Sequence, residues 1–194
     1  MRKLIVEEWM SLDGHVADKN GGLEFFTNIT PEQNKYSDLD QLKFLEGIDN
    51  ILLGRKTYEL FVDFWPTATI DKEAIADRLN EIPKTVFSNS ITSAPWGKWP
   101  AAEIINGEAG DAIRKLKEQP GKNMVLWGSI SLVQSLMEKN LVDEYHIQLC
   151  PVITGGGRKL FPDTGQLLHF ELAEIRQYNT GVIFLNYHSQ HGSE

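Results

Sequence analysis

Short, wholly apolar runs alternate with segments of helical spacing through the first two-thirds of this chain. "KLIVEEWM" (3–10), "NILLG" (50–54), "KTVFSNS" (84–90), "AEIING" (102–107) and "NMVLWG" (123–128) read as strands. Runs this brief and this apolar suit strands covered on both faces. "SDLDQLKFLEGI" (37–48), "TYELFVDFW" (57–65), "DKEAIADRLNEI" (71–82), "EAGDAIRKLKEQ" (108–119) and "SISLVQSLMEKN" (129–140) read as helices. Gly47, Pro66 and Pro120-Gly121 stand where such helices stop. Alternation of this kind predicts parallel crossover units with helices on both faces of the sheet. The end of the chain breaks the pattern. "EYHIQLCPVI", "FELAEIRQYN" and "VIFLNYHS" are strand-like with no helix between them, and "YNTGV" is a hairpin turn signal. The expectation is an α/β fold with a mixed, mostly parallel sheet and an antiparallel C-terminal hairpin.

The 194 residues suffice for one large domain, read as 1–194. A net charge of -8 disfavours general attraction to nucleic acid or to an anionic membrane, so an anionic ligand needs a local site. Cys150 is the only cysteine, which excludes an internal disulfide and a CxxC metal framework, and its apolar setting marks a small core residue. No metal site is expected. The N-terminus lacks an apolar stretch long enough for a signal peptide or a membrane span, so a cytoplasmic protein is expected.

Three strand ends share one design. Gly54 precedes Arg55, Lys56 and Thr57; Ser88 precedes Asn89; Trp127 and Gly128 precede Ser129 and Ile130. In open α/β sheets, ligands collect outside the carboxyl ends of parallel strands. Helix N-termini there offer unpaired N–H groups and partial positive charge to phosphate. Glycine permits close approach, Arg55 can fork onto phosphate oxygens, and Lys56, Thr57 and Ser129 add a charge and hydroxyls. Together these features suit a phosphate-rich cofactor lying across the sheet. Taken alone, "GRKT" is more often a solvated helix start than a phosphate site. GxGxxG and GxxxxGK[ST] are both absent, so neither the common dinucleotide fingerprint nor a P-loop applies.

"LGRKTYE", "VFSNS", "LWGSISLV" and "PVITGGGRKLF", in this order, resemble the dihydrofolate reductase-like superfamily. The branch is the one typified by the C-terminal reductase domain of riboflavin-biosynthesis deaminase-reductases and its stand-alone relatives. The resemblance runs from "KLIVEEWMSLDG" to "GVIFLNY". It implies a three-layer fold, NADPH as cofactor and hydride transfer to a small heterocycle. It places Gly54, Arg55, Lys56 and Thr57 at the cofactor's phosphates, with Arg55 and Lys56 near the adenosine 2′-phosphate. Ser88 and Asn89 match the adenosine half, Asn89 standing where the family often has a cation. Trp127, Gly128, Ser129 and Ile130 match the turn under the pyrophosphate, with Ser129 replacing one of two adjacent glycines found in many relatives.

Reduction of a C=N or C=O group also needs a proton source. The two candidates are Asp13, in the loop after the first strand, and Asp38, sixteen residues before Gly54. By resemblance, that spacing matches a carboxylate that grips an aminopyrimidine-like edge. Asp38 also reads as a helix cap or an exposed helix residue, and Asp40 competes with it. Trp9 and Phe25, with Phe26, offer an apolar wall for a flat heterocycle or ordinary core packing. By resemblance, "TGGGRKLF" forms a loop between late strands, with Arg158 or Lys159 available to the phosphate of a riboflavin-branch substrate. The resemblance thus implies an NADPH-dependent reductase of a dihydrofolate-like or riboflavin-pathway aminopyrimidine substrate. A weakly catalytic nucleotide-binding protein of the same fold is the alternative. One cysteine cannot build the zinc deaminase signature, so the bifunctional enzyme is excluded. The resemblance further implies a homodimer.

Overall fold

The computed structural model describes residues 1–23, 31–163 and 167–190, with backbone only for 31–36. The elements run β1 (Leu4–Ser11), β2 (His15–Ala17), α1 (Pro31–Glu46), β3 (Ile48–Gly54), α2 (Arg55–Phe64), α3 (Ala76–Glu81), β4 (Lys84–Phe87) and β5 (Glu103–Ile105). They continue with α4 (Ala109–Glu118), β6 (Asn123–Leu126), α5 (Ile130–Glu138), β7 (Glu144–Cys150), β8 (Arg158–Lys159), β9 (Phe170–Gln177) and β10 (Ile183–Ser189).

Among the described residues eight strands form one sheet in the order β5-β4-β3-β6-β1-β7-β10-β9. The pairs from β5 across to β7 are parallel, and β10 lies antiparallel between β7 and β9. The mixed sheet with an antiparallel end is the one the alternation predicts. Because successive side chains point to opposite faces, the strands feed two cores. Leu4, Val6, Leu52 and Leu126 pack with Val133 and Leu136 of α5 on one face. Ile5, Ile51, Leu53 and Val86 pack with Leu45, Tyr58, Leu79 and Trp96 on the other.

Strand order shows where a ligand belongs. The chain leaves β1 for β3, β4 and β5, returns to β6 between β3 and β1, and then crosses to β7 on the far side. β1 pairs with β6 only over Leu4–Val6 against Met124–Leu126, while it stays paired with β7 as far as Ser11. Beyond Val6 the neighbouring ends of β1 and β6 part, at the point where the winding reverses. This is the crevice in which open α/β sheets bind their ligands.

Two elements differ from the sequence reading. The first half of the expected 71–82 helix is turns, and α3 starts only at Ala76. Lys72 N–H and Glu73 N–H both donate to Thr69 C=O, which gathers the segment before a helix can begin. "GGGRK" is not a bare loop: β8 pairs with β2 in a small second sheet. A Cβ on Gly157, at φ +143°, would lie 2.0 Å from Ala17 O. The glycine run is the price of that close backbone approach.

Candidate functional site

Two of the three predicted strand ends meet directly. Gly54 N–H donates to Gly128 C=O at 3.0 Å, joining the start of α2 to the turn before α5. A Cβ on Gly54 would fall 2.4 Å from Ser129 Oγ, and one on Gly128 would fall 2.8 Å from Thr57 Oγ1. Gly128 has φ +78°, whereas Ser129 sits at φ -80°, ψ 158°, extended backbone that carries a side chain without strain. Glycine is therefore needed at 54 and 128 and not at 129. The 128–129 peptide is cis.

Neither α2 nor α5 has a side-chain cap at its N-terminus; the cap positions are Gly54 and Ser129. Their first-turn N–H groups face the same edge with no side chain among the described residues capping them, which suits a bound anion. Of the two cations, Arg55 is paired with Glu59 on its own helix at 2.6 Å, and Lys56 is exposed. Ser88 and Asn89 follow β4 and shape the neighbouring loop: Asn89 Oδ1 accepts from Gly107 N–H at 2.6 Å, and Ser88 Oγ accepts from Ser90 N–H. Ile130 packs on the core from the first turn of α5. A groove of about 410 Å³ along β5 and α4 is lined by Glu103, Glu108 and Asp111 against Lys115, a poor setting for an anionic nucleotide.

The two carboxylates singled out in the sequence take contrasting settings. Asp13 accepts from Ser11 Oγ at 2.6 Å and from Thr154 and Gly155 N–H at 3.2 and 2.9 Å, with His15 Nδ1 at 3.2 Å. These donors, the Ser11 hydroxyl foremost, hold its carboxyl well below the usual carboxylate range. Asp13 is an ionised clamp between two loops and has no proton to give near neutral pH. Asp38 is raised by burial, and its charge in turn raises Glu73, so it faces the segment before α3. Asp40 turns to the sheet instead, paired with Arg176 at 2.5 Å and accepting from Tyr178 Oη at 2.9 Å. Arg158 is exposed on β8, and Lys159 beside it is paired with Asp163 at 3.0 Å. Trp9 packs with Cys150, Tyr178, Val182 and Phe184. Phe25 and Phe26 lie outside the described residues.

The carboxylates that do occupy the crevice are Glu7 and Glu8. Glu7 is 7% exposed, and its Oε2 accepts from Gln41 Nε2 at 2.7 Å and Trp127 Nε1 at 2.6 Å. One side chain thus ties β1 to α1 and, across the parting strands, to the turn after β6. Burial raises the Glu7 carboxyl, while His146, the two donors and Arg176 pull against that. A cavity of about 30 Å³, room for roughly one water, opens there among Glu7, Asp40, Gln41, His146, Gln148 and Arg176. Gln148 is 4% exposed, and its Oε1 has no hydrogen-bond partner among the described residues. Glu8 points to the opposite face, and its Oε1 is sealed from solvent without a partner among the described residues. The sequence reading passes over both residues. The signal was two adjacent carboxylates within an apolar central strand, where charge is rarely buried without a reason.

The family model described as "RibD C-terminal domain" matches residues 2–184. The uncharacterized protein YyaP of Bacillus subtilis (strain 168) is 30% identical over 190 residues, covering 96% of this chain and 95% of YyaP. Among solved structures, a "Putative riboflavin biosynthesis protein" from Shewanella sp. PV-4 aligns with TM-score 0.77 at 25% identity, covering 97% and 99% of the two chains. A dihydrofolate reductase from Enterococcus faecalis, solved in complex with NADP(H), shares the fold with TM-score 0.55 at 14% identity, covering 97% and 96%.

Proposed function

The chain belongs to the RibD C-terminal domain family, a reductase domain, and from that premise we propose that it is an NADPH-dependent reductase of a small nitrogen heterocycle. The observation that carries this reading is the junction of Gly54 with Gly128, where two helices without side-chain caps start side by side. First-turn N–H groups of α2 and α5 and the Thr57 hydroxyl would hold the nucleotide's pyrophosphate at that junction. Lys56 would meet the adenosine 2′-phosphate, joined by Arg55 on leaving Glu59. The loops at Ser88 and Asn89 would flank the adenosine. When bound, the nicotinamide supplies hydride; the chain's own work is to hold both reactants at the β1–β6 crevice and to provide a proton. The substrate is a dihydrofolate-like pterin or a riboflavin-pathway aminopyrimidine. Its ring enters beside Glu7 and Gln148, whose acceptor oxygens match its N–H groups, and Trp9 walls the same side.

Titration of NADPH fluorescence with micromolar protein tests this reading. We expect saturable binding, weaker with NADH, and no response to either nucleotide would sink it. NADPH oxidation with dihydrofolate and with 5-amino-6-(5-phosphoribosylamino)uracil then chooses between the substrates. The working unit is a homodimer built on the C-terminal strands.

A further inference from the structure

β1 and β7 run side by side, with Glu7 level with His146 and Trp9 level with Gln148. Residues level on neighbouring strands share a face of the sheet, so His146 stands on the face that carries Glu7 and Trp9. It lines the same small cavity as Glu7 and Gln148, the place proposed for the substrate ring. The imidazole is buried against Phe44 of α1 and Phe184 of β10, at 5.0 and 5.2 Å between ring centres. Its Nε2 lies 3.2 Å from Glu144 Oε2, two residues earlier on the same strand. That contact first, and Lys3 after it, hold the Glu144 carboxyl down at about 2. An ionised carboxylate only accepts, so Nε2 carries a hydrogen and Nδ1 is the ring's other nitrogen. Among the described residues Nδ1 makes no hydrogen bond.

The other ionisable groups of the cavity are already engaged. Glu7 receives Gln41 and Trp127, and Asp40 holds both Arg176 and Tyr178. Gln148 Oε1, buried with no partner among the described residues, marks the cavity as built for a polar guest. We propose that His146 is the general acid of the substrate site, with Glu144 as its positioning residue. This deepens the reductase reading and rests on it. As a C=N or C=O carbon accepts hydride from the reduced nicotinamide, the π pair moves onto nitrogen or oxygen. That atom takes the proton from Nδ1 of the imidazolium, and the N–H bonding pair stays on the ring. The neutral imidazole recovers its proton from water once the product has left, and the nucleotide departs oxidised.

The charges around the ring suit that cycle. Glu7 faces it from β1 and Glu144 from its own strand, and the charge of His146 acts on both. From β10, His188 lies 3.6 Å from Glu144, and Lys3 before β1 reaches the same carboxylate at 2.6 Å. From β9, Arg176 is paired with Asp40 of α1 and with Glu174. Two acidic side chains thus flank the ring directly, while the nearby lysine and arginine are each matched to carboxylates.

The test compares wild type with His146→Gln, which keeps a polar side chain, and His146→Phe, which keeps an aromatic ring against Phe44 and Phe184. Circular dichroism shows which variants fold, and the substrate is dihydrofolate or 5-amino-6-(5-phosphoribosylamino)uracil, whichever wild type reduces. A folded variant should bind NADPH within about threefold of wild type, yet turn over roughly 10²–10⁴-fold more slowly. Its remaining rate should lack the wild-type fall with rising pH. Nitrogen-15 spectra of free wild type should show the His146 ring gaining a proton as pH is lowered. With NADP⁺ present to prevent turnover, adding the substrate should shift the His146 signals. Turnover within about threefold of wild type in a folded variant, a ring neutral at every pH at which the protein folds, or signals unmoved by substrate would each overturn the proposal and leave the reductase reading standing. Wild type that binds no NADPH, or binds it and reduces neither compound, would overturn that reading and this proposal with it.

Discussion

At Gly128 the backbone lies at φ +78°, and the space a side chain would take is filled by Thr57 Oγ1 at 2.8 Å. Gly128→Ala therefore meets two costs, about 1–2 kcal/mol for a left-handed alanine and about 1–3 kcal/mol for the forced contact. We expect the variant to fold, since the strain sits in one turn, and to bind NADPH at least tenfold more weakly. Circular dichroism beside a fluorescence titration separates the two effects, and unchanged affinity would remove this turn from the cofactor site. Lys84 offers a second residue-scale prediction. It is 4% exposed; its Nζ donates to Asn80 C=O at 2.5 Å and lies 4.8 Å from the Trp96 ring centre. Burial pushes its ammonium down from 10.5 to about 7. Between those values the unfolded chain binds more protons than the folded one, so this group makes stability rise with pH from about 7 to 10.5. Glu8, shifted upward, acts in the opposite sense between about 4.5 and 8, so the Lys84 contribution is read as a difference between proteins. Lys84→Met should melt higher than wild type at pH 6, with the gap closing by pH 10. A constant gap would mean that the lysine is charged throughout.

Among the elements, the loop after β1 is held by charge. Asp13 receives the Ser11 hydroxyl and the amides of Thr154 and Gly155, pinning it to the segment after β7. Its lowered carboxyl contributes stability that is present above the ordinary value of 3.8 and disappears as pH falls toward the folded-state value. Asp13→Asn should melt below wild type at pH 7, with the gap narrowing as pH falls from about 4 toward 2, measured as thermal midpoints across that range. Parallel curves would show that the clamp has no ionic part. The same elements show what the sequence could disclose. Alternating apolar runs placed β3, β4 and β6, because burial on both faces dictates composition whatever the neighbours are. The glycines at 54 and 128 were legible as strand-end residues for the same reason. The β2–β8 pairing was not legible, since it depends on Gly157 passing so close to Ala17 that a Cβ there would lie 2.0 Å from Ala17 O, a contact between distant segments. The direction of Asp38 was equally hidden. Spacing from Gly54 put a carboxylate on α1, but helix rotation turned Asp40 toward Arg176 of β9 and Gln41 toward Glu7 of β1, and left Asp38 on the side of Glu73.

Over the whole molecule, the crevice and the sheet edges are properties of strand order, which no single stretch of sequence contains. Glu8 and Gly128 come together only because β6 returns to lie between β3 and β1. The same order leaves two edges of very different kinds. β5 is three residues long and begins with the exposed Glu103, a short charged edge that resists further pairing. β9 is eight residues long, pairs among the described residues only with β10 and exposes Leu172 and Ile175 at 48% and 60%. An edge this long, with apolar side chains outward, invites a partner strand or sheet face. A second copy of the chain satisfies both at once by presenting the same surface about a twofold axis. We therefore expect light scattering to give twice the 22.0 kDa chain mass. Leu172→Lys with Ile175→Lys should give the single-chain mass while NADPH binding persists, because β9 stands at the opposite end of the sheet order from β3 and β4. A wild-type protein that already scatters as one chain would rule out the dimer. A doubly substituted protein that still scatters as two would move the interface away from β9.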